Sequence, residues 1–117
     1  DDVTMAAGVR VGGHVRIGTG ANLGLGTTVH QHRVVGALAM VGMSAAVTKD
    51  VPPFVKAFGN PCRIRGLNAV GLQRAGFADH TIVVLRERVE STDFPGNCAD
   101  LNECVEHFAW FEEVRQK

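Results

Sequence analysis

The chain has 117 residues, 45% of them hydrophobic and 21% charged, at a net charge of zero, which suits one compact domain. No apolar stretch approaches the roughly 20 residues of a spanning helix, and no secretory leader opens the sequence. A membrane span is therefore not expected. Because the first residue is Asp1 rather than Met, the natural start is expected to lie upstream or to have been removed.

Charge is unevenly placed. Residues 1–78 carry eight basic and three acidic side chains, whereas residues 79–117 carry four and nine. The basic part suits an anionic partner, such as a nucleotide phosphate or an acidic carrier protein. Mutual attraction of the two parts is the equally open alternative. The basic residues do not cluster and no nucleic-acid-reading motif occurs, so nucleic acid is not expected. Cys62, Cys98 and Cys104 form no C-x-x-C pair, so neither a zinc knuckle nor a redox motif is called for. Free thiols fit a reducing cytoplasm.

From Met5 a period of six runs without a slip: Met5, Val11, Ile17, Leu23, Val29, Val35, Val41, Val47. The residue after each stop is mostly glycine, and the residue two before it is small or branched, Arg33 excepted. A period of six is not helical. Each hexad reads as a short strand plus a turn. Such a strand buries its apolar side only by stacking on neighbours, which predicts a solenoid. Glycine after the apolar stop is expected to allow the positive φ or the tight corner that a turn needs. Asp50-Val51-Pro52-Pro53 is expected to end the repeat, since two prolines cannot donate to a ladder.

The solenoid is assigned to residues 1–53, a connecting loop and short helix to 54–78, and a helical segment to 79–117. Asn68 to Gly76 reads as a short helix or turn. Residues 79–91 read as a helix with Asp79 as N-cap and Ile82, Leu85, Arg86 and Val89 along one side. Phe94-Pro95-Gly96-Asn97 breaks it. Residues 101–115 read as an amphipathic helix. Asp100 and Glu103 begin it in a capping-box-like way, and Leu101, Cys104, Val105, Phe108 and Phe111 form its apolar face. Trp110 and its phenylalanine neighbours are expected in the core or a subunit interface.

Several segments together resemble a known family. They are Gly13-His14-Val15, Val29-His30-Gln31, Val41-Gly42-Met43-Ser44, Asp50-Val51-Pro52-Pro53, Gly59-Asn60, Gly66-Leu67-Asn68 and Gly71 to Phe77. In order and spacing they resemble the acyl-ACP:UDP-N-acetylglucosamine O-acyltransferases of lipid A biosynthesis. The resemblance implies a mainly β fold: a left-handed parallel β-helix of hexapeptide repeats, three hexads to a coil, followed by C-terminal α-helices. With that coil, residues eighteen apart stack, and His14 and His32 share a column about 4.8 Å apart.

The family is a cytoplasmic homotrimer with sites between subunits. It moves a hydroxyacyl chain from acyl carrier protein to a UDP-sugar and uses no cofactor or metal. Carried over, Gly13 matches the oxyanion glycine and His14 and His30 match site histidines. Gln31 matches a substrate contact, Asn68 and Arg74 match residues near the nucleotide, and Met43 sits where acyl-chain length is set. A bulky residue there implies a shorter chain. The family's catalytic His lies about one coil upstream of the His14 position, outside residues 1–117. Val70 and Ala75 stand where the family has an acidic and a second basic residue.

Bland and rival readings accompany these. His14 and His32 fit a stacked surface pair first, then a ligand contact or a metal site. With His30 they would supply three imidazoles for a zinc-dependent hydratase on the same fold. Arg74 fits phosphate or a pair with the acidic helices. Cys62 reads as a turn residue. A non-catalytic trimeric binding or scaffold module is the remaining alternative. Met5, Val11 and Ile17, at the first full coil, call for upstream coils or end-to-end pairing of trimers.

Overall fold

A computed structural model describes residues 3–91, 93–98 and 100–116. Eight two-residue strands follow at intervals of six: β1 (Thr4–Met5), β2 (Arg10–Val11), β3 (Arg16–Ile17), β4 (Asn22–Leu23), β5 (Thr28–Val29), β6 (Val34–Val35), β7 (Met40–Val41) and β8 (Ala46–Val47). Five parallel pairings join strands eighteen residues apart, as in Thr4↔Asn22, Arg10↔Thr28 and Arg16↔Val34. The result is a three-faced prism. One face is β1-β4-β7, the second β2-β5-β8 and the third β3-β6.

The inner column is the stepped set of apolar residues. Leu23, Val29, Val35, Val41 and Val47 are buried, whereas Met5 and Val11 on the outermost coil are 49% and 42% exposed. Thr27 is the polar member of the core, and its hydroxyl donates to the Gly42 carbonyl at 3.1 Å.

The glycine after each stop serves close approach rather than positive φ. A Cβ on Gly18 would lie 2.5 Å from the Ala37 nitrogen, and one on Gly36 would lie 2.3 Å from the Pro53 nitrogen. The left-handed position falls two residues later. There His14, His32, Leu38 and Ser44 adopt φ of 59°, 63°, 56° and 60°. The corner is imposed by stacking, so non-glycine residues accept a conformation they rarely adopt alone.

The two prolines do not end the ladder. Val51 bridges Val35, and β9 (Val55–Phe58) lies parallel to β7 with Met40↔Lys56 and Val41↔Ala57. The coil passes Pro52-Pro53 because the turn itself bonds through Phe54, whose N–H donates to Ala37 at 2.9 Å. The offset drops from eighteen to sixteen between Val47 and Val51. An antiparallel partner, β10 (Arg63–Leu67), then closes that face.

Helix α1 (Ala69–Arg74) starts at Asn68, whose side chain accepts from the Gly71 N–H. Helix α2 (Asp79–Arg88) begins one residue earlier than its sequence suggests. Its N-cap is Ala78, so Asp79 is the first helical residue and caps nothing. Ile82, Leu85 and Val89 are buried while Arg86 is exposed. Helix α3 (Val105–Arg115) starts late, with Cys104 as N-cap and no side-chain cap. Glu103 and Asp100 instead serve α2: Glu103 accepts from the Ala78 N–H and the Thr81 hydroxyl, and Asp100 pairs with Arg88. Val105 is exposed, while Phe108 and Phe111 are buried.

Helices and prism meet at Phe54, fully buried on the last corner. Its ring contacts those of Phe77, His107 and Phe108 edge-on, at centroid distances of 5.5, 5.6 and 5.1 Å. Asp50 ties the end of α3 to the prism. It accepts from the Val34 N–H at 2.8 Å and pairs with Arg115 at 3.6 Å. Among the described residues no helix is long and apolar enough to cross a membrane.

Candidate functional site

The prism has three edges, and the residues singled out by sequence divide among them. The edge between the second and third faces carries Gly13, His14, Gln31 and His32, in the turns after β2 and β5. Here Gly13, His30 and Gln31 line one shallow groove of about 440 Å³ together with Arg10 and Thr28. Gly13 and Gln31 come from neighbouring coils, joined by the His32 N–H donating to the Gly13 carbonyl at 2.9 Å. Nothing lies within 4 Å of where a Gly13 Cβ would be. That side of the backbone has room for a ligand. His30 stands exposed at a position that holds glycine in five of the other hexads, and the turn overlying it is the shortened one between Val47 and Val51.

His14 and His32 stack as the register requires. Their ring centroids are 5.0 Å apart and their planes differ by 2°. Among the described residues no group of three or more His, Cys, Asp or Glu side chains is brought together to hold a metal. His30 does not complete a three-imidazole set with the stacked pair, so nothing here supports the zinc reading.

The edge between the third and first faces carries the second set. Asn68 and Arg74 line a groove of about 980 Å³ between this edge and α1. The Asn68 amide is already engaged. Its nitrogen donates to the Leu38 carbonyl at 2.8 Å and its oxygen accepts from Gly71 at 3.2 Å. It fixes α1 to the prism, and Arg74 in the last turn of α1 faces the groove as a consequence. Val70 and Ala75 line it too. Sequence reading missed Lys56, Arg86 and His107, which line the same groove from β9, α2 and α3. No local signal marks them, since Arg86 and His107 each stand next to a glutamate in the chain, Glu87 and Glu106.

Met43 sits on the remaining edge, in the turn after β7, and is 70% exposed. Cys62 is half-buried, and burial pushes its thiol up against the opposing pull of Arg65. A raised thiol is a poor nucleophile, which fits a turn residue.

Residues 50–91 match the family model for UDP-N-acetylglucosamine O-acyltransferase, domain 2. An acyl-[acyl-carrier-protein]–UDP-N-acetylglucosamine O-acyltransferase of Pseudomonas fluorescens is 40% identical over 104 residues, 87% of this chain and 40% of that protein. Its namesake in Pseudomonas putida is 49% identical over 74 residues, 63% of this chain and 29% of that protein. The chain belongs to this acyltransferase family. It corresponds to a C-terminal part and spans 29% to 40% of the length of these relatives. The structure agrees. LpxA of Acinetobacter baumannii superimposes with a TM-score of 0.84 at 29% identity, over 97% of this chain and 49% of that one. The UDP-N-acetylglucosamine acyltransferase of Francisella novicida gives 0.79 at 28% identity, over 92% and 44%. The prism is thus the family's left-handed β-helix followed by C-terminal helices.

Proposed function

We propose that this chain is the C-terminal part of an enzyme that transfers a hydroxyacyl chain from acyl carrier protein to a hydroxyl of UDP-N-acetylglucosamine. The observation that carries this reading is the groove in which adjacent coils bring Gly13, His30 and Gln31 together. Acyl transfer needs a hydrogen-bond donor where the oxyanion develops. The Gly13 N–H suits that role: it makes no hydrogen bond among the described residues, and the space where a Cβ would stand is open. His30 and Gln31 supply polar contacts for the sugar beside it. His14, held by His32, lies one residue from Gly13 on the same edge.

In this reading the protein acts in the cytoplasm as a homotrimer, with sites between subunits. That assembly accounts for site residues on three separate edges, because one edge of a subunit can face a different edge of the next. A stable monomer at micromolar concentration in light scattering would overturn it. Met43, exposed on its own edge, would then limit the acyl chain, and Met43→Gly should shift preference towards longer chains.

The test is a chimera in which this chain replaces the equivalent part of the Pseudomonas fluorescens relative, which contributes the upstream coils. We expect hydroxyacyl transfer, reduced about tenfold or more by His30→Ala as a charged or polar contact is lost. The 117-residue chain alone is expected to give no meaningful transfer, since general-base help is worth about 10²–10⁴-fold. A folded chimera without transfer overturns the reading. Robust turnover by the 117-residue chain, abolished by His14→Ala, would move the base to His14.

A further inference from the structure

The ion pairs of the described residues draw on three arginines only. Arg33 and Arg115 pair with Asp50, Arg88 pairs with Asp100, and Arg115 also meets Glu112. Lys56, Arg74 and Arg86 are in none of them. Yet these three come from three separate elements, β9, α1 and α2, and line the same groove of about 980 Å³. No aspartate or glutamate lines that groove, while the His107 ring, packed on Phe54 and Phe77, sits in its wall.

Three cations converging on a concave surface without a carboxylate raise its potential and attract anions. The acidic C-terminal segment could have neutralised them and does not. Among the described residues the one ion pair between the two halves runs the other way, from Arg115 to Asp50. We infer that Lys56, Arg74 and Arg86 together bind a diphosphate group, with Lys56 and Arg86 as contacts that the family resemblance does not point to. This rests on the sugar-nucleotide reading above and adds two residues to it.

A small diphosphate fits better than a protein surface for two reasons. The groove is concave, and its volume lies within the range of cofactor and ligand pockets, about 300–1,000 Å³. Three charges from three directions also match two adjoining phosphates, whose oxygens point apart, more fully than they match one. Arginine donors suit such oxygens through paired hydrogen bonds.

Isothermal titration of the 117-residue protein with UDP, inorganic pyrophosphate, inorganic phosphate and uridine tests this. UDP and pyrophosphate should bind, with phosphate and uridine about tenfold weaker or more. Arg86→Ala and Lys56→Ala should each weaken UDP and pyrophosphate about tenfold at unchanged melting temperature, and Arg86→Lys should recover part of the loss. Arg63→Ala, an exposed cation outside the groove, should change nothing. Wild-type binding of UDP and pyrophosphate unaffected by Arg86→Ala and Lys56→Ala overturns the inference and leaves the nucleotide reading intact. Pyrophosphate bound as tightly as UDP, and weakened by both variants, supports the inference while counting against the nucleotide reading. No binding of either anion, or equal loss in Arg63→Ala, overturns the site. So does tight binding of acyl carrier protein that pyrophosphate fails to displace, which would assign the cations to protein docking.

Discussion

In the prism, each residue's surroundings recur every eighteen residues, so one steric rule governs many positions at once. Gly18 and Gly36 obey the same constraint on different coils, and Leu23 and Val41 occupy the same column. The helical segment from Asp79 to Gln116 has no such redundancy. It is held by a few unlike contacts: the aromatic cluster at Phe54, Glu103 under the start of α2, Arg88 on Asp100, and Arg115 on Asp50. A repeat spreads stability over equivalent interfaces. The segment concentrates it in single residues, and the largest sensitivity is therefore expected where the two regions meet.

Phe54→Ala is the strongest test of that contrast. Emptying a fully buried aromatic site costs about 3–5 kcal/mol, and here it also separates the prism from α3. Urea denaturation should give a lower midpoint, and the helical signal should be lost before the β signal. Coincident loss of both would break the comparison by making the regions one cooperative unit.

Gly36→Ala comes next, with a Cβ 2.3 Å from the Pro53 nitrogen. Overpacking against backbone costs about 1–3 kcal/mol or more, read as a fall of several degrees in melting temperature. Gly13→Ala is its control. Nothing lies within 4 Å there, so the melting temperature should hardly move. Equal losses would mean that the corners, rather than close approach, demand glycine.

The segment's own contacts carry a pH signature. The Thr81 hydroxyl, then the Ala78 N–H, hold the Glu103 carboxyl below its usual 4.5. A depressed folded-state value gives stability that is present above the ordinary carboxylate range and lost as pH falls through the lowered value. Melting temperatures of the wild type and Glu103→Gln should differ near neutral pH and converge in acid. A constant difference at all pH values would remove the charge from the explanation.

The smallest expected effect is chemical rather than thermodynamic. Burial, then Cys98 and Glu103, push the Cys104 thiol up to about 12, and burial raises Cys98 as well. Cys62, half-buried beside Arg65, should react first with a thiol reagent at pH 8. The other two should react only as the segment opens. Labelling rates of Cys98 and Cys104 thus report the segment's local stability directly.

The sequence alone determined the solenoid, because a period of six with a buried stop leaves stacking as the one way to hide the column. It also determined the His14–His32 stack and the Gly13 neighbourhood, which follow from the eighteen-residue coil that the family resemblance implied. It did not determine where the ladder ends. Proline withholds one donor, but the continued coil bonds through Val51 and Phe54, and only the stacked partner reveals that. Likewise Asp100 and Glu103 look like the start of their own helix, since local spacing is all a linear reading has. In the fold they lie against α2, and the partners brought within reach there take the hydrogen bonds. Arg86 shares a helical stripe with Leu85 and Val89 but points into a groove built from β9, α1 and α3. Short-range periodicity is encoded in adjacent residues and survives reading as text. Which distant surfaces meet is decided by packing, and so the cation-lined groove belongs to the tertiary structure.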